Sequence, residues 1–209
     1  MPQPPTLKIT EIFPSIQGEG LRQGEPTIFI RLSGCNLRCT FCDTRYAWEE
    51  GDIMTRSEIM ERVEQIRQDF PAYWICLTGG EPLLQDVEPL LADLKARGYS
   101  LQVETNATQA PALPVDWYTL SPKPDAYAVS PELIPLAKEV KLVVNEETEF
   151  QTLKKLRDLF PADIPLLLQP ESNRDEATQA CLHYLEKSLG ADMKNLRLSL
   201  QLHKLLDIP

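Results

Sequence analysis

The sequence predicts an α/β fold made of parallel βα units, and three observations carry that prediction. Short apolar runs bounded by turn residues alternate with stretches whose apolar residues recur at helical spacing. Polar motifs recur directly after the apolar runs, at what would be one edge of a parallel sheet. The chain has 209 residues, 43% hydrophobic and 25% charged, an ordinary globular composition expected to form one domain over residues 1–209.

Taken in order, the proline-rich start, residues 1–6, is expected to be flexible. It has no basic or apolar segment of a signal peptide, and no window approaches the roughly 20 apolar residues of a membrane span. A soluble, cytoplasmic protein is expected. The strand candidates are Thr27 to Leu32, Tyr73 to Leu77, Ser100 to Glu104, Trp117 to Leu120, Val140 to Val144, Pro165 to Leu168 and Leu196 to Leu200. Ile59, Val63, Ile66 and Phe70 mark a first helix, entered through the capping-box pair Thr55 and Glu58. Val87, Leu90, Leu91 and Leu94 mark a second, which stops at Gly98. Phe150, Leu153, Leu156 and Phe160 mark a third; Ala177, Cys181 and Leu185 mark a fourth. Proline-rich ATQAPALPVD and PELIPLA leave no room for long helices after the third and fourth strand candidates.

Cys76, inside a strand, and Cys181, on a helix stripe, read as buried small hydrophobes. Cys35, Cys39 and Cys42 crowd into GCNLRCTFCDT, a pattern that in a reducing compartment means metal or catalysis rather than a disulfide framework. Three thiolates can hold three irons of a 4Fe-4S cube and leave the fourth open. The alternative is structural zinc, with Asp43, His183 or His203 as a fourth ligand. A net charge of −10 argues against nucleic acid as a partner, since such affinity comes from Lys and Arg on phosphates. Arg22, Arg31, Arg38 and Arg45 nonetheless make the cysteine region locally basic. That suits a small anionic ligand; scattered solvated arginines are the plainer reading.

In parallel α/β folds ligands gather at the carboxyl ends of strands. The cysteine loop, Thr78 to Pro82 (TGGEP), Glu104 to Asn106, Ser121 to Lys123, and Gln169 with Pro170 all fall at such ends. Gly79 and Gly80 let backbone approach a ligand, Glu81 adds a carboxylate and Pro82 fixes the exit. A plain strand-to-helix turn would read the same way.

The spacing C-x-x-x-C-x-x-C, with Phe41 before its last cysteine and a GGEP motif further on, resembles the radical S-adenosylmethionine superfamily. That resemblance implies a trimmed, partial parallel βα barrel of about six core strands. It implies a 4Fe-4S cluster on Cys35, Cys39 and Cys42, whose open iron takes S-adenosyl-L-methionine. Reductive cleavage then gives a 5'-deoxyadenosyl radical, so no side chain is assigned as catalytic. Cofactor-binding residues carried over are Phe41, Cys42, Asp43, Gly79, Gly80, Glu81, Ser121, Pro122, Lys123 and Gln169, and an electron donor such as flavodoxin or ferredoxin is implied.

Glu11 followed by Gln17 to Gly20 (QGEG), Asp43 and Thr44, the strand-end motifs, and His203, Lys204 and Pro209 together resemble the 7-carboxy-7-deazaguanine synthase family. The resemblance covers nearly the whole chain. It implies a carbon-nitrogen lyase that contracts the ring of 6-carboxy-5,6,7,8-tetrahydropterin to 7-carboxy-7-deazaguanine with loss of ammonia, on the route to queuosine. It implies Mg2+ at Thr44, a homodimer, and substrate contacts from Ile16, Gln17, Gly18, Glu19, Arg31, Thr78, Glu104, His203 and Pro209. Glu104 and His203 could equally be structural polar groups. One departure stands out: Leu202 precedes His203 where the family pattern leads one to expect threonine. Two rivals stay open, a glycyl-radical-enzyme activating protein and a non-catalytic metal-binding module.

Overall fold

The structure is a computed structural model that describes residues 6–109, 113–124, 126–191 and 193–209. The flexible start expected at residues 1–6 falls, but for Thr6, outside the described residues, as do positions 110–112 of ATQAPALPVD. Among the described residues no helix is long and apolar enough to cross a membrane.

The strands are β1 (Thr6–Ile16), β2 (Pro26–Leu32), β3 (Asp52–Thr55), β4 (Trp74–Gly79), β5 (Ser100–Thr105), β6 (Trp117–Leu120), β7 (Ala137–Val144), β8 (Leu166–Pro170) and β9 (Leu196–Leu198). The helices are α1 (Arg56–Asp69), α2 (Glu88–Ala96), α3 (Phe150–Leu159), α4 (Asp175–Gly190) and α5 (Leu202–Leu206). The strands form one sheet in the order β3-β1-β2-β4-β5-β6-β7-β8-β9. From β2 to β9 every neighbour is parallel, while β1 runs antiparallel to both β2 and β3. The parallel run matches a partial radical-enzyme barrel and holds one strand more than the six expected, the extra being the three-residue β9.

All seven strand candidates are strands, displaced by at most three residues at an end. β1 and β3 are additions. β1 hides its alternation because its pairing with β2 shifts register between Ile9 and Glu11, so the buried positions run Leu7, Ile9, Ile12 rather than in strict twos. β3 is a four-residue edge strand with no buried position to announce it. The capping box forms as expected: Glu58 N donates to Thr55 Oγ1 at 3.3 Å and Thr55 N donates to the Glu58 carboxylate at 2.7 Å. α2 ends before Gly98, whose φ of +83° suits only a residue without Cβ strain. Between β6 and β7 the described residues form a 3-10 turn, Pro131–Leu136, and no α-helix.

Each parallel strand has two different faces. Ile28, Ile30, Leu32, Ile75, Leu77, Leu101, Val103, Leu120, Val140, Leu142, Val144, Leu166 and Leu168 point to the helix layer and form the core. On the opposite, inner face the alternation leaves Arg31, Thr78, Gln102, Glu104, Thr119, Glu139, Lys141 and Gln169. That polar inner face is what the chain uses to build a site.

Candidate active site

β2 ends in the cysteine loop, and β4 ends in TGGEP beside it. Gly80 N donates to Leu32 O at 3.0 Å, Glu81 N to Gly34 O at 2.7 Å, and Gly34 N to Ala47 O at 2.9 Å. A Cβ on Gly79 would lie 2.1 Å from Leu32 O, and one on Gly80 would lie 2.0 Å from Gly34 O. The glycines therefore let two strand ends touch, a role the close approach to a ligand had not anticipated. Glu81 is fully buried; its carboxylate accepts from Leu83 N (3.0 Å), Thr105 Oγ1 (2.7 Å) and Asn106 N (2.7 Å). It ties TGGEP to the end of β5 rather than facing a ligand, and buried Pro122 likewise does not reach the cavity.

Above these strand ends lies a cavity into which the remaining candidates converge. Cys35, Cys39, Phe41, Cys42, Asp43 and Thr44 form one wall; Thr78, Gly79, Gly80, Glu104, Ser121, Lys123 and Gln169 line it from the strand ends. Ile16, Gln17, Gly18, Glu19 and Arg31 come from the first hairpin, and His203 and Pro209 from the C-terminal segment. The first hairpin and the C-terminal segment meet here: Ser15 Oγ donates to Pro209 O at 2.7 Å, and Leu202 N to Gly18 O at 2.8 Å. His203 packs so tightly on Gly18 that a Cβ there would lie 2.3 Å from its Nδ1, which settles the ring's placement despite Leu202. Burial lowers the His203 imidazole below its ordinary value, against the raising pull of Glu19 and Asp43, so the ring is neutral at pH 7.

Charges in the cavity are paired and aimed. Lys141 is ion-paired to Glu19 and, at 3.1 Å, to Glu104. Burial would raise the Glu19 carboxyl, but the Lys141 charge and hydrogen bonds from Lys141 and Gln201 bring it down to about 2. Arg31 Nε donates to Glu11 Oε1 at 2.6 Å, and Tyr46 Oη donates to the same oxygen at 2.9 Å. Glu11 thereby holds the guanidinium by one edge and leaves its two terminal nitrogens for the cavity, a fork suited to a carboxylate. Lys204 pairs with Asp43 at 2.7 Å and keeps that carboxyl low although burial opposes it. Lys123 Nζ donates to Ser121 Oγ at 2.5 Å, and burial followed by the Lys141 charge pushes its ammonium down.

The donor set suits the implied groups. Half-buried Cys35, Cys39 and Cys42 open on one cavity, as a cube with separate iron corners requires. Among the described residues no three His, Cys, Asp or Glu side chains, the cysteine triplet included, are drawn together as on a single metal ion. His183 sits exposed on α4, away from the cavity. Gln169 Oε1 is buried without a hydrogen-bond partner, an acceptor waiting for a donor such as an adenine amine. Thr44 brings a hydroxyl, a hard oxygen ligand of the kind Mg2+ takes.

Sequence reasoning missed Lys141 and Gln201. Lys141 could have been found, because Glu139 and Lys141 alternate with Val140, Leu142 and Val144, and two charges on one face of a central strand signal a polar interior. Gln201, which donates to Glu19 at 2.8 Å, carried no local signal.

Residues 29–180 match the Radical SAM superfamily. The chain is 41% identical over 207 residues to the 7-carboxy-7-deazaguanine synthase of Bacteroides thetaiotaomicron, covering 96% of this chain and 98% of the relative. It is 34% identical over 224 residues to that of Escherichia coli K12, with the same coverage, and 37% over 214 residues to that of Aquifex aeolicus, covering 97% and 94%. Among solved structures, QueE from Escherichia coli superimposes with a TM-score of 0.79 at 30% identity over 95% of both chains. SuiB from Streptococcus suis, bound to precursor peptide SuiA, shares the fold alone, with a TM-score of 0.57 and 16% identity over 78% of this chain and 46% of that one.

Proposed function

The chain belongs to the radical S-adenosylmethionine superfamily and, within it, to the 7-carboxy-7-deazaguanine synthases, and we propose that its cavity carries out their reaction as a carbon-nitrogen lyase. The substrate is 6-carboxy-5,6,7,8-tetrahydropterin, the products are 7-carboxy-7-deazaguanine and ammonia, and the route leads to queuosine. The observation that carries this reading is convergence: cysteine loop, strand ends, first hairpin and C-terminal segment, distant in sequence, line one cavity at the carboxyl edge of the parallel strands.

Cys35, Cys39 and Cys42 would hold a 4Fe-4S cluster, which together with S-adenosyl-L-methionine would supply the radical chemistry that takes a hydrogen from the carbon bearing the substrate carboxylate. Gly79 and Gly80 offer backbone carbonyls to the cofactor's ammonium, and Lys123 with Ser121 faces its carboxylate. Gln169 Oε1 orients the adenine, while Phe41 and Asp43 border the cofactor. Arg31, held edge-on by Glu11, grips the substrate carboxylate, and Thr44 joins it in binding Mg2+. Gln17, Glu19, Glu104 and neutral His203 match donors and acceptors on the ring, with Ile16, Gly18 and Thr78 shaping the wall. The electron would come from a donor protein such as flavodoxin or ferredoxin. A homodimer would cover the flank where, among the described residues, no α-helix follows β5 or β6, in a cytoplasmic enzyme.

Reconstituted anaerobically, the protein should form more 7-carboxy-7-deazaguanine than the S-adenosylmethionine supplied, because the hydrogen returns to the cofactor. One cofactor consumed per product would exclude that cycle. Pro209, which lines the cavity, is proposed to contact the substrate. Appending a short Gly-Ser tail should then lower kcat/KM by about 10- to 100-fold, the worth of a hydrogen bond to a charged group; unchanged turnover would remove Pro209 from the site.

A further inference from the structure

We propose that Lys141 is a positioning residue: its ammonium clamps Glu19 and Glu104 into a paired acceptor for the nitrogen-rich edge of the substrate ring. The inference rests on the pterin reading of the cavity. It adds a residue that contacts neither the cluster loop nor the SPK and TGGEP motifs in the hydrogen-bond network around it.

Lys141 stands in the middle of β7 with its side chain 6% exposed. Glu104 is on β5, two strands away across β6, and Glu19 is on the loop that follows β1. No sheet pairing connects that loop to β5 or β7. Lys141 bridges all three, donating to Oε2 of Glu19 and, at 3.1 Å, to Oε2 of Glu104. The remaining oxygens are held as firmly. Glu19 Oε1 accepts from Gln201 Nε2 at 2.8 Å and Gln169 Nε2 at 3.1 Å, and Glu104 Oε1 accepts from Gln17 Nε2 at 3.0 Å.

A carboxylate has about four lone-pair sites, so each keeps acceptor capacity after these bonds. Both border the cavity. One ammonium between two carboxylates leaves a residual negative charge, which complements a ring presenting an exocyclic amine and ring N–H groups. Val143, the next inner-face residue of β7 toward the cavity, and Leu167, which pairs with Lys141 on β8, are apolar. Glu139, the preceding inner-face residue, is charged, but it is held by Leu21 N and Thr119 and not by Lys141. A strand serving only the core would carry an aliphatic residue at 141, and burying three charges costs more than that.

The test uses the full-length reconstituted enzyme with S-adenosylmethionine, and pterin-6-carboxylate as a stable equilibrium probe. Lys141→Met should weaken probe binding by about 30-fold or more, the effect of truncating one partner of a buried charge network. KM for carboxytetrahydropterin should rise by more than kcat falls, and Lys141→Arg should recover most of the affinity. Undiminished binding in a folded Lys141→Met protein overturns the proposal. Should that variant not fold, Lys141→Met combined with Glu104→Gln removes one stranded carboxylate. Its binding must then be weaker than that of Glu104→Gln alone, and equal binding overturns the proposal. Crystals of the wild-type enzyme with the probe decide without any variant: a ring nitrogen must hydrogen-bond Glu19 or Glu104, and a ring seated elsewhere overturns it. If the wild type forms no 7-carboxy-7-deazaguanine, the functional reading fails; normal wild-type turnover with unchanged binding in the variants removes the Lys141 inference alone.

Discussion

Replacing Gly80 with alanine is expected to destabilise the protein by roughly 3 to 5 kcal/mol and to prevent stable cluster incorporation. The new Cβ would sit 2.0 Å from Gly34 O and 3.1 Å from Ala47 O, both backbone atoms that no rotamer change can move. Relief requires β4's end to separate from the cysteine loop, which breaks the Gly80 N to Leu32 O and Glu81 N to Gly34 O bonds. Glu81 is then dragged from the three donors it satisfies in the interior. Gly190 is the control, since nothing lies within 4 Å of an added Cβ there; Gly190→Ala should change stability by less than about 1 kcal/mol, in the stabilising direction. Urea unfolding of the apoproteins reads both, and a Gly80→Ala midpoint equal to wild type would show that the two strand ends do not pack as described.

Cys39→Ala is expected to abolish turnover and the cluster's visible absorbance while leaving apoprotein stability within about 1 kcal/mol of wild type. Cys39 is half-buried on a loop at the cavity rather than in the core. The two other cysteines should behave in the opposite way. Cys76 and Cys181 are fully buried, and burial raises both thiols, Cys181 to about 12. Alanine at Cys181 should cost about 1 to 2 kcal/mol through the cavity it leaves, and the reconstituted enzyme should keep its cluster. Iron and sulfide content per chain separates the two classes. A Cys39→Ala protein that still reconstitutes and turns over would contradict the assignment of the triplet.

These two predictions also show what the sequence could and could not convey. The cysteine spacing and strand-end motifs were readable because they are local: a few consecutive residues fix both identity and position. The helices were readable through their apolar stripes and, at α1, through Thr55 and Glu58. β1 was not, because its bulge near Glu11 breaks the alternation on which a strand is recognised. The inner barrel face was harder. Parallel strands covered on both sides read as continuous apolar runs, so isolated polar residues such as Gln102 and Thr119 look like noise until the sheet curls them together. Glu81 shows the converse difficulty, since a carboxylate in a ligand-binding motif invites a ligand role, and only the fold shows it buried off the cavity and accepting from Leu83, Thr105 and Asn106. Lys141 combines both difficulties: its partners, Glu19 and Glu104, lie 122 and 37 residues away.

The most direct measurement is mass spectrometry of the reaction of anaerobically reconstituted protein with S-adenosylmethionine, strong reductant, Mg2+ and 6-carboxy-5,6,7,8-tetrahydropterin. The account predicts conversion of the pterin, with loss of one ammonia, to 7-carboxy-7-deazaguanine, dependent on the cluster and on the cofactor. A reconstituted cluster that cleaves S-adenosylmethionine yet leaves the pterin intact would contradict it.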